Sequence, residues 1–138
     1  MLRLPPILIV SGESDYRKKL AGRVSKAGLR PICCETIAEA QALVSKQEFS
    51  AILCNDSLAD GNFRDLIREM GGGTSKGAAA PVVIVSRRDD WDSYLAAVGA
   101  GAFDYVGYPP NPGELERVLW VALSESKRSE EALTKSAA

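Results

Sequence analysis

The sequence predicts a doubly wound α/β fold, in which helices cover both faces of a parallel five-stranded sheet. Two observations support this fold class. Five short apolar runs alternate with five stretches of helical period, and the connections between them are short. Most of the runs are apolar on both faces, which is typical of parallel strands buried between two layers of helices.

The five predicted strands occupy positions 7–11, 30–34, 51–54, 81–86 and 103–107. Parallel strands of such a sheet end at one edge, and the working crevice lies beyond their carboxyl ends. We therefore expect the strand ends to line one pocket, formed by residues 11–14, 55–57, 86–87 and 107–108.

The first two predicted helices have recognisable ends. The apolar stripe of the first helix consists of Tyr16, Leu20, Val24 and Ala27. Gly28 follows it and suits a left-handed C-cap. Thr36 and Glu39 have the spacing of a capping box, which predicts that a second helix begins there.

The third and fourth predicted helices share one apolar spacing of i, i+3, i+4 and i+7. It is formed by Phe63, Leu66, Ile67 and Met70, and again by Trp91, Tyr94, Leu95 and Val98. The fifth helix is predicted from Asn111 as N-cap, Pro112 at N1 and Glu114 at N3. Its core stripe consists of Leu115, Val118, Leu119 and Ala122.

Length and composition predict one globular domain. The chain has 138 residues, of which 46% are hydrophobic, and we place the domain at residues 1–124. Residues 125–138 are polar and form either a tail or an extension of the last helix, and residues 71–80 look like a mobile loop. A net charge of −1 does not favour nucleic acid or an anionic membrane as partner.

The residue content excludes several kinds of chemistry. Histidine is absent, which removes Ser-His-Asp and Cys-His catalysis and histidine metal ligands. The three cysteines, Cys33, Cys34 and Cys54, lack metal-site spacing, so we expect neither a metal site nor a cofactor. The longest apolar run near the start, residues 7–10, is too short for a signal peptide or a membrane span, so we expect a cytoplasmic protein.

Four segments together resemble the receiver domain of bacterial two-component response regulators, the CheY-like superfamily. They are PILIVSGESDYRKKL, FSAILCNDSLADGN, PVVIVSRRDD and GAGAFDYVGYPP, and the resemblance covers about residues 5 to 123. It implies a flavodoxin-like three-layer sandwich with strand order 2-1-3-4-5. It also implies a role in two-component-type signal transduction, and it makes Tyr108-Pro109 a candidate for a cis peptide bond.

Most of the family's phosphorylation residues do not carry over to this sequence. The acidic pair falls on Ser11 and Gly12, the phosphoacceptor aspartate on Asn55 and the lysine on Tyr108, while Ser86 retains the family's hydroxyl. An amide is a poor nucleophile, and neutral ligands make a poor magnesium site. The pocket therefore looks like a disabled phosphorylation site that needs no metal ion.

Two carboxylates keep the alternative of a working receiver open. Asp56 follows Asn55 directly, although counting from Asn55 fits the family loop better, and Glu13 lies one position beyond the family's acidic pair. A flavodoxin-like or nucleotide-binding protein is a further alternative. Residues 11–14 precede a helix, but they lack the glycine-rich fingerprint.

The face formed by the fourth helix, fifth strand and fifth helix carries the output in this family. Tyr105 and Ser86 fall on the family's switch positions, although Tyr105 also suits a strand aromatic packed on a helix. Trp120 lies outside the core stripe of its helix, which suits either a partner contact or an indole folded over the neighbouring helix. Arg87 and Arg88 beside residues 89–90 indicate a solvated charge cluster and a helix cap. The leading hypothesis is a non-enzymatic, phosphorylation-independent module that binds a protein partner or itself through this face.

Overall fold

A computed structural model of the chain describes residues 4–70, 80–88 and 90–137, with side chains as far as Glu125. Most of the predicted loop at 71–80 lies outside the described residues. The elements in chain order are β1 (Pro6–Val10), α1 (Ser14–Lys26), β2 (Arg30–Cys34), α2 (Ile37–Lys46), β3 (Ala51–Cys54), β4 (Ser57–Leu58), β5 (Gly61–Asn62), α3 (Phe63–Glu69), β6 (Val82–Ser86), α4 (Trp91–Gly99), β7 (Asp104–Gly107) and α5 (Glu114–Ala137).

Five of the strands form one parallel sheet in the order β2-β1-β3-β6-β7. With the small hairpin β4–β5 set aside, this is the predicted order 2-1-3-4-5, and the predicted fold class is confirmed. The register places Val10 beside both Cys34 and Cys54, so the strands flanking β1 end level with it. This alignment brings the strand ends to one edge.

The two faces of the sheet carry separate apolar cores. On one side, residues of α1 and α5 pack on the sheet, and Tyr16, Leu20 and Leu119 are fully buried among them. On the other side, residues of α2, α3 and α4 pack on the sheet, with Leu66 and Ala97 fully buried. Residues of alternate strand positions enter opposite cores, as the double-sided apolar strands predict.

The ends of α1 and α2 largely follow the prediction. Gly28 has a φ of 82°, the left-handed conformation expected after the helix end. Thr36 Oγ1 accepts a hydrogen bond from the Glu39 amide at 3.1 Å, as an N-cap should. The Glu39 carboxylate accepts from the amide of Glu35, one residue earlier than a capping box requires.

A hairpin between β3 and α3 was not predicted. Its Asp60 carboxylate accepts hydrogen bonds from the amides of Ile37 and Ala38 at 2.9 and 3.1 Å, so it caps α2 from a distance. Gly61 has a φ of 152°, and a Cβ there would lie 2.7 Å from the Asp65 carboxylate. Because Asp65 and Asn62 form a capping box at the start of α3, the hairpin is held to two helices.

The predicted start of the fifth helix was wrong by two residues. The helix begins at Glu114, and the preceding Gly113 has a φ of 83°, which excludes Pro112 from the first helical turn. The Gly113 amide donates to the Glu116 carboxylate at 2.9 Å. Tyr108-Pro109 is a cis peptide, as expected. None of the helices within the described part is both long and apolar enough to cross a bilayer.

The apolar stripe of α4 faces outward. Trp91, Leu95 and Val98 are 69, 49 and 40% exposed, whereas the small side chain of Ala97 is buried against the sheet. On α5 the predicted core stripe is buried, and Trp120 is 50% exposed, in keeping with its predicted position outside that stripe. The α4, β7 and α5 side of the domain therefore presents large apolar side chains to solvent.

Candidate functional site

Three polar side chains are buried at the carboxyl edge of the sheet. Ser11 directly follows β1, Asn55 directly follows β3, and Ser86 is the last residue of β6. Their exposures are 0, 6 and 1%. Buried polar groups need internal partners, so the hydrogen bonds of these three residues define what the site can do.

Asn55 is the centre of the hydrogen-bond network. Its Nδ2 donates to Ser11 Oγ at 3.2 Å and to Glu13 Oε2 at 2.8 Å. Its Oδ1 accepts from the Asp56 amide at 2.9 Å. Ser11 Oγ also accepts from the Glu13 amide at 3.1 Å. The amide group is thus engaged on both its nitrogen and its oxygen.

An arginine completes this network. Arg87 Nη1 lies 2.7 Å from the same Glu13 oxygen that Asn55 contacts, and the two side chains are 54 and 47% exposed. Hydrogen bonds from Arg87 and from Asn55 hold the pKa of the Glu13 carboxyl below its ordinary value. Arg87 is solvent-exposed, as the predicted charge cluster implies, and its partner Glu13 lies 74 residues away in the sequence.

Tyr108 forms the wall beside the arginine. The Arg87 guanidinium lies 4.7 Å from the centroid of the Tyr108 ring, a cation–π geometry. The Tyr108 ring also stacks on the Tyr16 ring, with the two centroids 4.8 Å apart. Tyr16 is buried, and its hydroxyl donates to the Val85 carbonyl at 2.6 Å. We call Ser11, Glu13, Asn55, Arg87 and Tyr108 the strand-end pocket.

Gly12 and Ser86 lie outside this network. Gly12 is exposed, and a Cβ placed on it would meet nothing within 4 Å. Ser86 Oγ accepts a hydrogen bond from the Arg88 amide at 3.1 Å. The Arg88 carbonyl in turn accepts a hydrogen bond from the Tyr105 hydroxyl. Ser86 and Tyr105 are therefore linked through one backbone residue.

The donor set of the strand-end pocket does not fit a magnesium ion. Mg²⁺ requires several oxygen ligands, preferably charged, in octahedral geometry. The pocket offers one carboxylate, Glu13, which is already paired with Arg87, while Ser11 and Asn55 oxygens accept internal hydrogen bonds. In the described ranges, no three acidic or cysteine side chains lie close enough together to hold a metal ion.

Asp56 lines a different depression. A groove of about 390 Å³ runs between α3 and α4, where Asp56 lies with Arg64, Arg88, Asp90 and Tyr105 among the lining residues. Asp56 is half-buried and makes none of the strand-end pocket's side-chain contacts described above. The sequence predicted that Asp56 lies in the loop or points away from the pocket, and in the structure it lines the groove between α3 and α4.

A second groove of about 350 Å³ lies between α4 and the start of α5. Trp91 stacks on Tyr94 with centroids 5.2 Å apart, and Tyr94 meets Tyr105 edge to face at 6.4 Å. Asp90 and Glu114 also line it. The Asp90 carboxylate caps α4 through the Ser93 amide, as the sequence predicted for the charge cluster. We call Trp91, Tyr94, Tyr105, Asp90 and Glu114 the aromatic groove.

The sequence comparisons agree with the fold. The chain is 31% identical over 117 residues to the KDP operon transcriptional regulatory protein KdpE of Escherichia coli, which is 85% of this chain and 50% of KdpE. It spans 25 to 61% of the length of the curated relatives it matches. No family model matches the chain.

The solved structures show the same architecture. The signal receiver domain of an HD domain-containing protein from Pseudomonas fluorescens Pf-5 has a TM-score of 0.82 at 17% identity, over 95% of each chain. The beryllofluoride-activated NtrC4 receiver domain dimer has a TM-score of 0.73 at 20% identity, over 88% of this chain and 98% of that one.

Fold and sequence agree on one class: this chain has the CheY-like receiver fold and is similar in sequence to response regulators. Within that class, its strand-end pocket holds an amide, a serine and an arginine–glutamate pair. Sequence reasoning missed the part played by Arg87. Its position directly after Ser86, the last residue of β6, could have indicated that it lies beside the other strand ends.

Proposed function

We propose that this receiver domain acts in two-component-type signal transduction as a phosphorylation-independent protein-interaction module. It is not an enzyme, takes no metal ion or cofactor, and binds a protein partner through the face formed by α4, β7 and α5. Self-association through the same face is the alternative mode. The observation that carries the proposal is the closed network in which Asn55 contacts Ser11 and Glu13 while Arg87 neutralises Glu13.

The chemistry of the network supports this proposal. Formation of an acyl phosphate needs an anionic carboxylate as nucleophile, and the Asn55 amide is neutral. The buried position after β3 is occupied by that amide, with both its nitrogen and its oxygen already bonded. Arg87 supplies a positive charge within the domain, so the pocket needs no external cation to balance Glu13.

The exposed face supports the interaction role. Trp91, Leu95 and Val98 on α4 and Trp120 and Val121 on α5 are all at least 40% exposed. Large exposed apolar side chains that gather on one side of a small domain are typical of interaction surfaces. The solved NtrC4 receiver, which is similar in fold, forms a dimer. This likeness is compatible with either a partner or a second copy.

A working receiver that uses Asp56 is the second candidate. The observation in its favour is that the half-buried Asp56 lies on an open groove with Arg64 and Arg88, two cations suited to a phosphoryl group. Against it, the groove's other carboxylates, Asp90 and Asp92, do not gather with Asp56 into a metal site within the described residues. Magnesium-dependent transfer would lack its ion there.

Intact mass measurement separates the two candidates. The chain is incubated with acetyl phosphate and Mg²⁺ beside a receiver known to be phosphorylated. We expect no stable gain of a phosphoryl group on the wild-type chain or on the matched variant Asp56→Asn. A gain that the wild type shows and Asp56→Asn loses would overturn the proposal and establish Asp56 as the acceptor.

A further inference from the structure

The segment that contains α4, β7 and the start of α5 has a strongly one-sided charge. Positions 90–116 contain five acidic residues and no lysine or arginine, although the whole chain is nearly balanced with 17 basic and 18 acidic side chains. The five are Asp90, Asp92, Asp104, Glu114 and Glu116. One of them, Glu116, is paired with Arg23 at 3.1 Å. Of the remaining four, Asp90 and Glu114 line the aromatic groove, and Asp92 lines the neighbouring groove that contains Asp56.

The aromatic groove combines ring faces with carboxylates. Trp91 is 69% exposed even though one side of its indole stacks on Tyr94. Tyr105 closes the groove edge to face with Tyr94, and its hydroxyl is bound to the Arg88 carbonyl. Asp90 and Glu114 lie on the lining of the same groove. Aromatic faces carry negative electrostatic potential, so rings and carboxylates attract the same kind of group.

No cationic side chain of the chain is among the groove's described lining residues. Arg87, the cation beside Tyr108, is committed to Glu13. Arg88 lines the neighbouring groove together with Asp90, which borders both grooves, so Glu114 is the lining carboxylate farther from this cation in the sequence. Among the described residues, the lining of the aromatic groove therefore contains two carboxylates and four aromatic rings but no lysine or arginine, around an open volume of about 350 Å³.

We propose that the aromatic groove accepts an arginine or lysine side chain from a basic segment of the partner protein. This inference rests on the proposed docking face and names the chemistry of what docks there. The apolar side chains of Leu95 and Val98 continue the Trp91 stripe along α4, so apolar residues of the same segment would pack against them. The partner segment is therefore both basic and apolar.

Charge complementarity favours such a partner over a second copy. A symmetric pair through this face would place one set of acidic side chains against another, and like charges at an interface are destabilising. Arg117 on the exposed side of α5 supplies one positive charge, whereas three acidic side chains, Asp90, Asp92 and Glu114, line the two grooves of this face. A basic segment meets no such repulsion.

The two tryptophans allow a direct test, because the chain has only Trp91 and Trp120. In ¹H–¹⁵N spectra each gives one indole signal, so Trp120 serves as an internal control outside the groove. The probes are N-acetylarginine amide, its neutral counterpart N-acetylglutamine amide and the anionic N-acetylglutamate amide. We expect a saturable shift of the Trp91 signal with the arginine probe, and much smaller shifts with the other two.

Charge variants complete the test. We expect Glu114→Gln to weaken binding of the arginine probe about two- to five-fold, the size of a partly exposed charge contact. Glu48→Gln, which neutralises an exposed acid before β3, is the matched control and should leave binding unchanged.

Equal Trp91 shifts with all three probes, or equal binding by Glu114→Gln and wild type, would overturn the cation assignment. So would an absence of shifts with every probe. These outcomes are independent of the mass measurement, which alone reports whether the chain accepts a phosphoryl group. Failure of the inference and failure of phosphorylation independence are thus read from different experiments.

Discussion

The strand-end pocket and the aromatic groove lie at the ends of neighbouring elements but differ in how their polar groups are satisfied. In the pocket, Asn55, Ser11 and Glu13 bond to one another and to Arg87. In the groove, the Trp91 ring is largely exposed, and the described lining residues include Asp90 and Glu114 but no lysine or arginine. The polar side chains of the pocket are paired with one another, whereas the groove leaves the Trp91 ring and the Asp90 side chain at the surface.

The proposed function depends on this difference, because it separates docking from phosphorylation. Phosphorylation needs unpaired charge at the strand ends, and here an amide and an ion pair occupy that place. Docking needs exposed apolar area and matched charge, which depend on α4 and α5 and not on the pocket. Ser86 and Tyr105 remain connected through the backbone of Arg88. Its amide donates to Ser86 Oγ, and its carbonyl accepts from the Tyr105 hydroxyl.

The largest expected effect comes from the centre of the pocket. Asn55→Ala removes a buried amide and leaves Ser11 Oγ and the Asp56 amide with fewer partners. We expect the free energy of unfolding to fall by about 1–3 kcal/mol, the cost of unsatisfied buried polar groups. Urea denaturation measures it, and an unchanged midpoint would mean that the network does not stabilise the fold.

Trp91→Ala is the contrasting control in the same measurement. Because this side chain is 69% exposed, we expect its truncation to change the free energy of unfolding by no more than about 0.5 kcal/mol. A loss as large as that of Asn55→Ala would show that the groove is part of the packed core. The contrast between the two regions would then fail.

A smaller effect is expected from the ion pair. Glu13→Gln removes a half-exposed salt bridge, so we expect a loss of about 0.2–1 kcal/mol at pH 7. The Glu13 pKa is lowered in the folded state by Arg87 and Asn55, so this contribution is present above the ordinary value of 4.5. It disappears as the pH falls through the lowered folded pKa.

Thermal unfolding of wild type and Glu13→Gln between about pH 3 and pH 7 checks the sign of this linkage. The two curves should differ at pH 7 and converge in acid. Arg87→Ala should show the same convergence, since it removes the other partner of the pair. A difference that grows toward acid pH would contradict the assigned pairing.

Much of the fold could be predicted because it depends on local patterns. Strands buried on both faces, the helix stop at Gly28 and the buried stripe of α5 follow from residue types and spacing alone. The hairpin β4–β5 did not, because Asp60 caps a helix 23 residues away. The predicted start of α5 was wrong because Gly113 adopts a left-handed conformation, which the Asn111-Pro112 pattern does not reveal.

The two functional regions were predictable to different degrees. The positions of the strand ends predicted that Ser11, Asn55 and Ser86 lie close together, because parallel strands end at one edge of the sheet. The Glu13–Arg87 pair joins residues 74 positions apart, which no local pattern reveals. Periodicity identified the apolar stripe of α4, but it does not say which face of a helix the rest of the domain covers. Here the covered face carries the small Ala97.

The central claim is that the strand-end pocket has no place for a magnesium ion and a phosphoryl group. Its most direct test is a ¹H–¹⁵N titration with MgCl₂ and beryllofluoride, a phosphoryl mimic, followed at the amides of Ser11, Glu13, Asn55 and Asp56. Internally paired groups predict no saturable shift at any of the four. Saturable shifts at these amides that require both reagents would contradict the account.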